Sequence, residues 1–293
     1  MGQKNKILKQ VITFLIITSA ISAGIFLWIF NGAGNSLAAV IPMMYTPGIS
    51  AVITALIFKE KMNIFGWKLG KIRYLLQSYF LPVIVSLIGY GLVWISKYSD
   101  FSTEQVENIK YAKMIGFNLP APFLVGLFSK MILGTLITTI FVFGEELGWS
   151  GYLTRKLRKI YSVPITSIIV GVFWAVWHYP AIIGGFYGTG TPLYISLPGF
   201  TLVLVGASII RTVLVDKSDS LWVGVILHAS HNIILMGLFL QMTVDKGIIN
   251  VDYLVSETGL FLGFVYIIVA LLFWKMSESN SIFKNIRTTF YKS

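Results

Sequence analysis

The sequence predicts an all-α integral membrane protein, a bundle of about eight transmembrane helices with both termini cytoplasmic, and three observations lead there. Of the 293 residues, 56% are hydrophobic and only 12% charged, with a mean hydropathy of +0.78. That is about half the charged share of a soluble domain. Apolar runs of spanning length recur along the whole chain, and eight spans of about 20 residues would take up most of its apolar content. The basic residues, finally, gather in alternate connections. Disorder, a collagen-like repeat and a disulfide scaffold are excluded by an aromatic share of 15%, 27 aperiodic glycines and the absence of cysteine.

Taken in order, the apolar segments lie at roughly 10–30, 37–58, 74–96, 119–146, 163–183, 195–214, 221–241 and 254–274. The first has a basic start and small residues from Ala20 to Ala23, as a secretory signal would, but its apolar run continues to Phe30. It is therefore read as an uncleaved span. The stretch 96–118 is the longest polar interruption, expected to be an external loop with one amphipathic turn of helix. With no repeat or low-complexity tract, residues 1–293 are read as a single polytopic membrane domain.

Eighteen of the 23 Lys and Arg residues fall in the N-terminal tail, the connections after segments two, four and six, and the C-terminal tail. Arg211 and Lys217 are counted with the connection after segment six. The opposite connections hold only Lys97, Lys110, Lys113 and Lys246, beside Asp100, Glu104, Glu107, Asp245, Asp252 and Glu257, and Lys130 stands alone inside a span. By the positive-inside rule this partition puts both termini in the cytoplasm of a multi-pass cell-membrane protein. It also explains the net charge of +11 without a nucleic-acid partner.

A carboxylate at the centre of a span costs roughly 2.5 to 3.5 kcal/mol, so an ionisable residue there is a functional signal. Glu145 and Glu146 lie about ten residues before the basic cluster at Arg155, about 15 Å into the membrane by helical rise. Adjacent residues point about 100° apart, so only one of the two can face a given partner squarely. His178 lies on segment five, and His228, His231 and Asn232 on segment seven. His228 and Asn232, at i and i+4, share one helical face, with His231 on its flank. Helical rise lets Glu145, His178 and His228 meet near mid-bilayer. His231 is the weaker candidate, since an interhelical hydrogen bond would account for it.

These residues resemble the three motifs of the CPBP family, the intramembrane proteases that include type II CAAX prenyl proteases and bacteriocin-processing, Abi-like proteins. The motif E-E-x-x-x-R is matched at Glu145 and Glu146, with Ser150 at the arginine position; F-x-x-x-H is matched at His178, with Trp174 for the phenylalanine; H-x-x-x-N is matched at His228 and Asn232. The similarity covers roughly residues 118–240, the expected catalytic core. Arg155 lies five positions after Ser150, about 140° around a helix, and does not replace the missing cation by simple geometry.

The resemblance implies an intramembrane endopeptidase acting on a membrane-embedded or lipid-anchored protein or peptide. Glu145 would be the general base, His178 would hold the water, and His228 with Asn232 would donate to the oxyanion, while Glu146 would orient an imidazole. The same side chains, Glu145, His178 and His228, could instead hold zinc as two imidazoles and a carboxylate, so the sequence leaves metal-dependent and glutamate-dependent chemistry both open. Two rivals stand beside this reading: a proton-coupled transporter, for which paired broken helices in repeated halves are missing, and a non-catalytic scaffold or bacteriocin-immunity protein on the same fold.

The charge partition yields a direct test in this cysteine-free chain. A cysteine replacing Ser279 is expected to react with a membrane-impermeant thiol reagent only from the cytoplasmic side, and labelling from outside overturns the topology.

Overall fold

The computed structural model describes residues 2–34, 36–103 and 122–290. Among them are eight helical segments long and apolar enough to span a membrane: α1 Gln3–Ala33, α2 Leu37–Ile57, α3 Ile72–Ile95, α4 Gly126–Leu157, α5 Val163–Ile183, α6 Leu193–Ser218, α7 Trp222–Phe239 and α8 Asp252–Ser279. This is the all-α, multi-span architecture expected, and α4 runs a further three turns past the expected end at 146. The extension places Glu145 and Glu146 well inside the helix. Two π-helical stretches interrupt α4, at Lys130–Gly134 and Trp149–Thr154, and the second directly follows the glutamates. Such wide turns redirect side chains and recur at functional sites. α7 likewise passes from α-helix to π-helix at Asn232.

The helices pack as α2 on α4, α4 on α7, α7 on α3, α5 on α6 and α6 on α8, with α1 along α2. Ile132, Leu133, Leu136, Ile137 and Ile140 of α4 point outward, where lipid is their solvent. Because lipid tails are as apolar as leucine, hydrophobic burial does not draw such helices together; close packing through small residues does. On α4 those residues are Gly144 and Gly148. A Cβ at 144 would lie 2.6 Å from Tyr45 Cα, and one at 148 would lie 2.5 Å from Pro47 Cβ. The glutamate-bearing turn thus lies backbone to backbone against α2.

α8 is broken. A first turn, Asp252–Val255, ends at an extended Ser256, and the long helix restarts at Leu260. Outside the spans, β1 (Ser99–Phe101) pairs antiparallel with β2 (Thr243–Asp245). The ribbon joins the connection after α3 to the one after α7, so both lie on one side, as the alternation of eight spans requires. The remainder of the 96–118 loop, where an amphipathic turn is expected, lies outside the described residues. At the other face, Arg155 pairs with Asp219 at 2.5 Å and Arg158 with Asp216 at 2.5 Å, tying the end of α4 to that of α6.

Three charges assigned to connections from sequence are buried. Lys156 is 4% exposed and bonded to Glu60 and Gln10. Arg211 is 1% exposed within α6, and Glu257 is 5% exposed at the break in α8. Arg211 therefore does not contribute to the topological charge, and the alternation stands without it.

Gly144→Ala should destabilise the protein by about 1–3 kcal/mol, as overpacking does, and lower its melting temperature. Gly91→Ala, where a Cβ meets nothing within 4 Å, should be neutral or mildly stabilising. Equal melting temperatures for the two variants would show that the α2–α4 contact does not require glycine.

Candidate active site

The two adjacent glutamates face different surroundings, as the helical angle between them demands. Glu145 is 3% exposed, and its Oε2 accepts the indole N–H of Trp174 at 2.8 Å and that of Trp149 at 3.3 Å. Glu146 is completely buried between α6 and α7. Its Oε1 accepts from an Arg211 amino group at 3.1 Å and from His228 Nδ1 at 3.2 Å, and its Oε2 accepts the Ser150 hydroxyl proton.

On α5, the Nδ1 of His178 lies 3.0 Å from the Trp174 carbonyl oxygen one turn earlier. A carbonyl only accepts, so Nδ1 carries a proton, and in the neutral ring Nε2 then keeps its lone pair. The same reasoning places a proton on Nδ1 of His228, because its partner is a carboxylate. These assignments come from the hydrogen-bond network.

Glu145, His178, His228 and Asn232 line one cavity of about 150 Å³. α4, α5 and α7 thus bring together four of the five expected site residues, while Glu146 stands behind His228. Phe26 and Ile29 of α1, with Val40, Met43 and Met44 of α2, form an apolar wall of the same cavity. The volume is ample for water, since roughly 15 Å³ accessible to a water-sized probe holds one molecule.

His231 does not line this cavity. Its Nδ1 is 2.8 Å from the Tyr266 hydroxyl and its Nε2 3.0 Å from Glu257 Oε1, which is the interhelical bonding that could account for it. Sequence reasoning missed three residues. Glu257 and Tyr187 both line the cavity, and the Tyr187 hydroxyl donates to Glu257. Burial, reinforced by Glu257, pushes the Tyr187 phenol well above its usual range, so it remains a donor at any ordinary pH. Arg211 carried a legible signal, an arginine in the apolar run SIIRTVLV. Glu257, three residues ahead of a long apolar run, looked like an ordinary loop acid.

The zinc set does not fit as the side chains stand. Among the described residues no three His, Cys, Asp or Glu side chains converge in a way that could hold a metal ion. Glu146 is engaged by Arg211, and both indoles bond to Glu145.

Residues 126–234 match the family model described as type II CAAX prenyl endopeptidase Rce1-like. A CAAX prenyl protease 2 from Methanococcus maripaludis is 28% identical over 172 residues, covering 53% of this chain and 57% of the relative. The chain thus spans little more than half the length of that curated protein. Both matches are to proteins of the CAAX prenyl protease type, the group that the motifs at Glu145, His178 and His228 resemble.

Removing one partner of a buried ion pair costs roughly 3–5 kcal/mol, because the other charge is left uncompensated. Glu146→Ala should therefore lower thermal stability far more than Glu145→Gln, which strands no charge. His231→Ala should likewise reduce stability while leaving turnover by the folded fraction close to normal, whereas His228→Ala abolishes turnover. The checks are tryptophan-monitored melting and cleavage assays on each purified variant. Equal loss of turnover for the two histidines would place His231 in the chemistry.

Proposed function

We propose that this chain is an intramembrane endopeptidase of the CPBP family that uses Glu145 as its general base. The observation that carries the reading is the convergence of Glu145, His178, His228 and Asn232, from three helices, on one cavity within the membrane-spanning bundle. In this reading the chain sits in the cell membrane with both termini cytoplasmic, and residues 118–240 form its catalytic core.

The chemistry follows from the hydrogen bonds. Two indole N–H groups fix one side of the Glu145 carboxylate, so a water in the cavity meets a base that is already oriented. His178 Nε2, with its lone pair free, accepts a hydrogen bond from that water while Glu145 takes the water's other proton as the oxygen attacks the scissile carbonyl. The resulting oxyanion is met by the Asn232 amide and by His228. Because Nδ1 of His228 is bonded to Glu146, donation from Nε2 uses the imidazolium form, whose charge lies against the Glu146 carboxylate. Donors of this kind are worth roughly 2.7 to 4 kcal/mol each in known enzymes. When the C–N bond breaks, the amine takes the proton held by Glu145, which restores the carboxylate. No step is routed through a metal.

The apolar wall supplied by α1 and α2 suits a substrate that approaches from lipid, a membrane-embedded or lipid-anchored protein or peptide. The Methanococcus relative's name points to prenylated CAAX sequences, and a farnesylated CAAX peptide in detergent is the first probe to use.

Glu145→Gln keeps the shape and the indole contacts but cannot take a proton. It should fold normally and lose at least the roughly 10²- to 10⁴-fold typical of general-base catalysis, and wild-type cleavage should persist in a chelator. Near-normal cleavage by Glu145→Gln would remove the general-base assignment, and loss of wild-type activity on chelation, restored by zinc, would replace it with a metal mechanism.

A further inference from the structure

Ser150 stands where the motif has arginine, yet Glu146 does not lack a cation. The Arg211 guanidinium reaches it from α6, at 3.1 Å, and both side chains are 1% exposed. The geometry gives a reason for the exchange. A Cβ on Gly224 of α7 would collide with the Ser150 hydroxyl and lie 2.5 Å from Glu146 Oε2. The α7 backbone therefore presses directly on residue 150, and a long side chain there would push α7, with His228 on it, away from α4. A small residue at 150 permits the close approach, and the positive charge enters from a third helix.

Arg211 touches both halves of the site. One amino group donates to Glu146, whose same oxygen accepts from His228 Nδ1; the other donates to Ser208 at 2.7 Å, which anchors the guanidinium to its own helix. The guanidinium plane also sits 4.7 Å from the Trp174 ring centroid, and the indole N–H of Trp174 donates to Glu145. Cation–π contact and ion pair act from one group.

We propose that Arg211 is the positioning residue of this site: by holding Glu146 and Trp174 it fixes the His228 ring with its proton on Nδ1 and fixes the indole that orients Glu145. The catalytic consequence rests on the endopeptidase reading; the orienting role does not. Arg211 has no contact with the main cavity, so its effect is through other side chains.

The test compares wild type, Arg211→Met, Arg211→Lys and the double variant Glu146→Gln with Arg211→Met, each purified in detergent and checked by melting. Imidazole nitrogen NMR reports the tautomer of His228, which is assignable because the chain has only three histidines; cleavage of a farnesylated CAAX peptide reports kcat and KM. Arg211→Met is expected to lose the His228 Nδ1–H signature and about 10- to 100-fold in kcat, a range seen for residues that orient active-site ligands, with KM nearly unchanged. Arg211→Lys should keep the signature and recover part of kcat. Should Arg211→Met fail to fold, the double variant, which buries no unpaired charge, gives the same reading and is expected to lose both signature and kcat. A folded variant without Arg211 that keeps the wild-type His228 signature and kcat overturns the proposal. So does an activity loss that only follows the fraction unfolded. If wild type cleaves no peptide, the endopeptidase reading falls and the NMR comparison alone decides the role of Arg211.

Discussion

The buried ion pair between Glu146 and Arg211 is the constraint on which the arrangement of the site depends. Each charge taken out of water loses several kcal/mol of solvation, and attraction between the two offsets this only where the geometry is good and the remaining polar atoms find partners. Here most of them do: Ser150, His228 and Ser208 supply hydrogen bonds and Trp174 supplies a ring face, while Arg211 Nε is buried without a hydrogen-bond partner among the described residues. Those partners come from α4, α5, α6 and α7, so satisfying the pair fixes four helices relative to one another. Apolar packing in a bilayer would leave their rotation much freer, because lipid competes equally for every apolar face.

Small residues make the pair possible. Gly144 and Gly148 bring α4 against α2, and Gly224 brings α7 against the turn that carries Glu146 and Ser150. The glutamate-bearing turn is thus gripped from two sides by backbone, which leaves its side chains little choice of direction. The adjacent glutamates, about 100° apart, then divide their tasks. Glu145 faces the cavity and, among the described residues, takes its hydrogen bonds from indoles, whereas Glu146 faces the cation and one imidazole. A single carboxylate could not serve both purposes, since the hydrogen bonds that make Glu146 a good anchor would occupy the oxygens a base needs.

Much of this was legible in the sequence because hydrophobic context makes polar residues conspicuous. Glu145, His178, His228 and Asn232 were all found as polar exceptions within apolar runs, and helical periodicity placed His228 and Asn232 on one face; the structure puts all four on one cavity. Arg211 was misread for a physical reason: a basic residue near the end of a span is ordinarily a topological charge, and one turn decides between a cytoplasmic position and a buried one. Glu257 was hidden by a break in helix α8 that no proline announces; only Ser256 to Gly259 mark it. The β1–β2 ribbon was also beyond reach, since three-residue strands carry too little alternation to register.

The break in α8 shows how a polar wall is built inside an apolar bundle. Non-helical backbone at membrane depth is tolerated where it is buried in protein or lines a cavity, and Ser256 to Thr258 meet that condition. The Ser256 and Thr258 hydroxyls bond to each other at 2.9 Å, and the Ser256 hydroxyl also accepts the Thr258 N–H. Freed of helical geometry, Glu257 reaches the cavity, where His231 and Tyr187 hold it. His231 therefore supports the cavity from behind: with one nitrogen on Glu257 and the other on Tyr266, it pins the start of α8 to α7. The three histidines thus act in three ways set by their partners. A carbonyl leaves His178 an acceptor, a carboxylate makes His228 a donor at Nδ1, and a carboxylate with a phenol occupies both nitrogens of His231. Residue type placed imidazoles in the membrane, and the hydrogen-bond partner of each decides what it can do there.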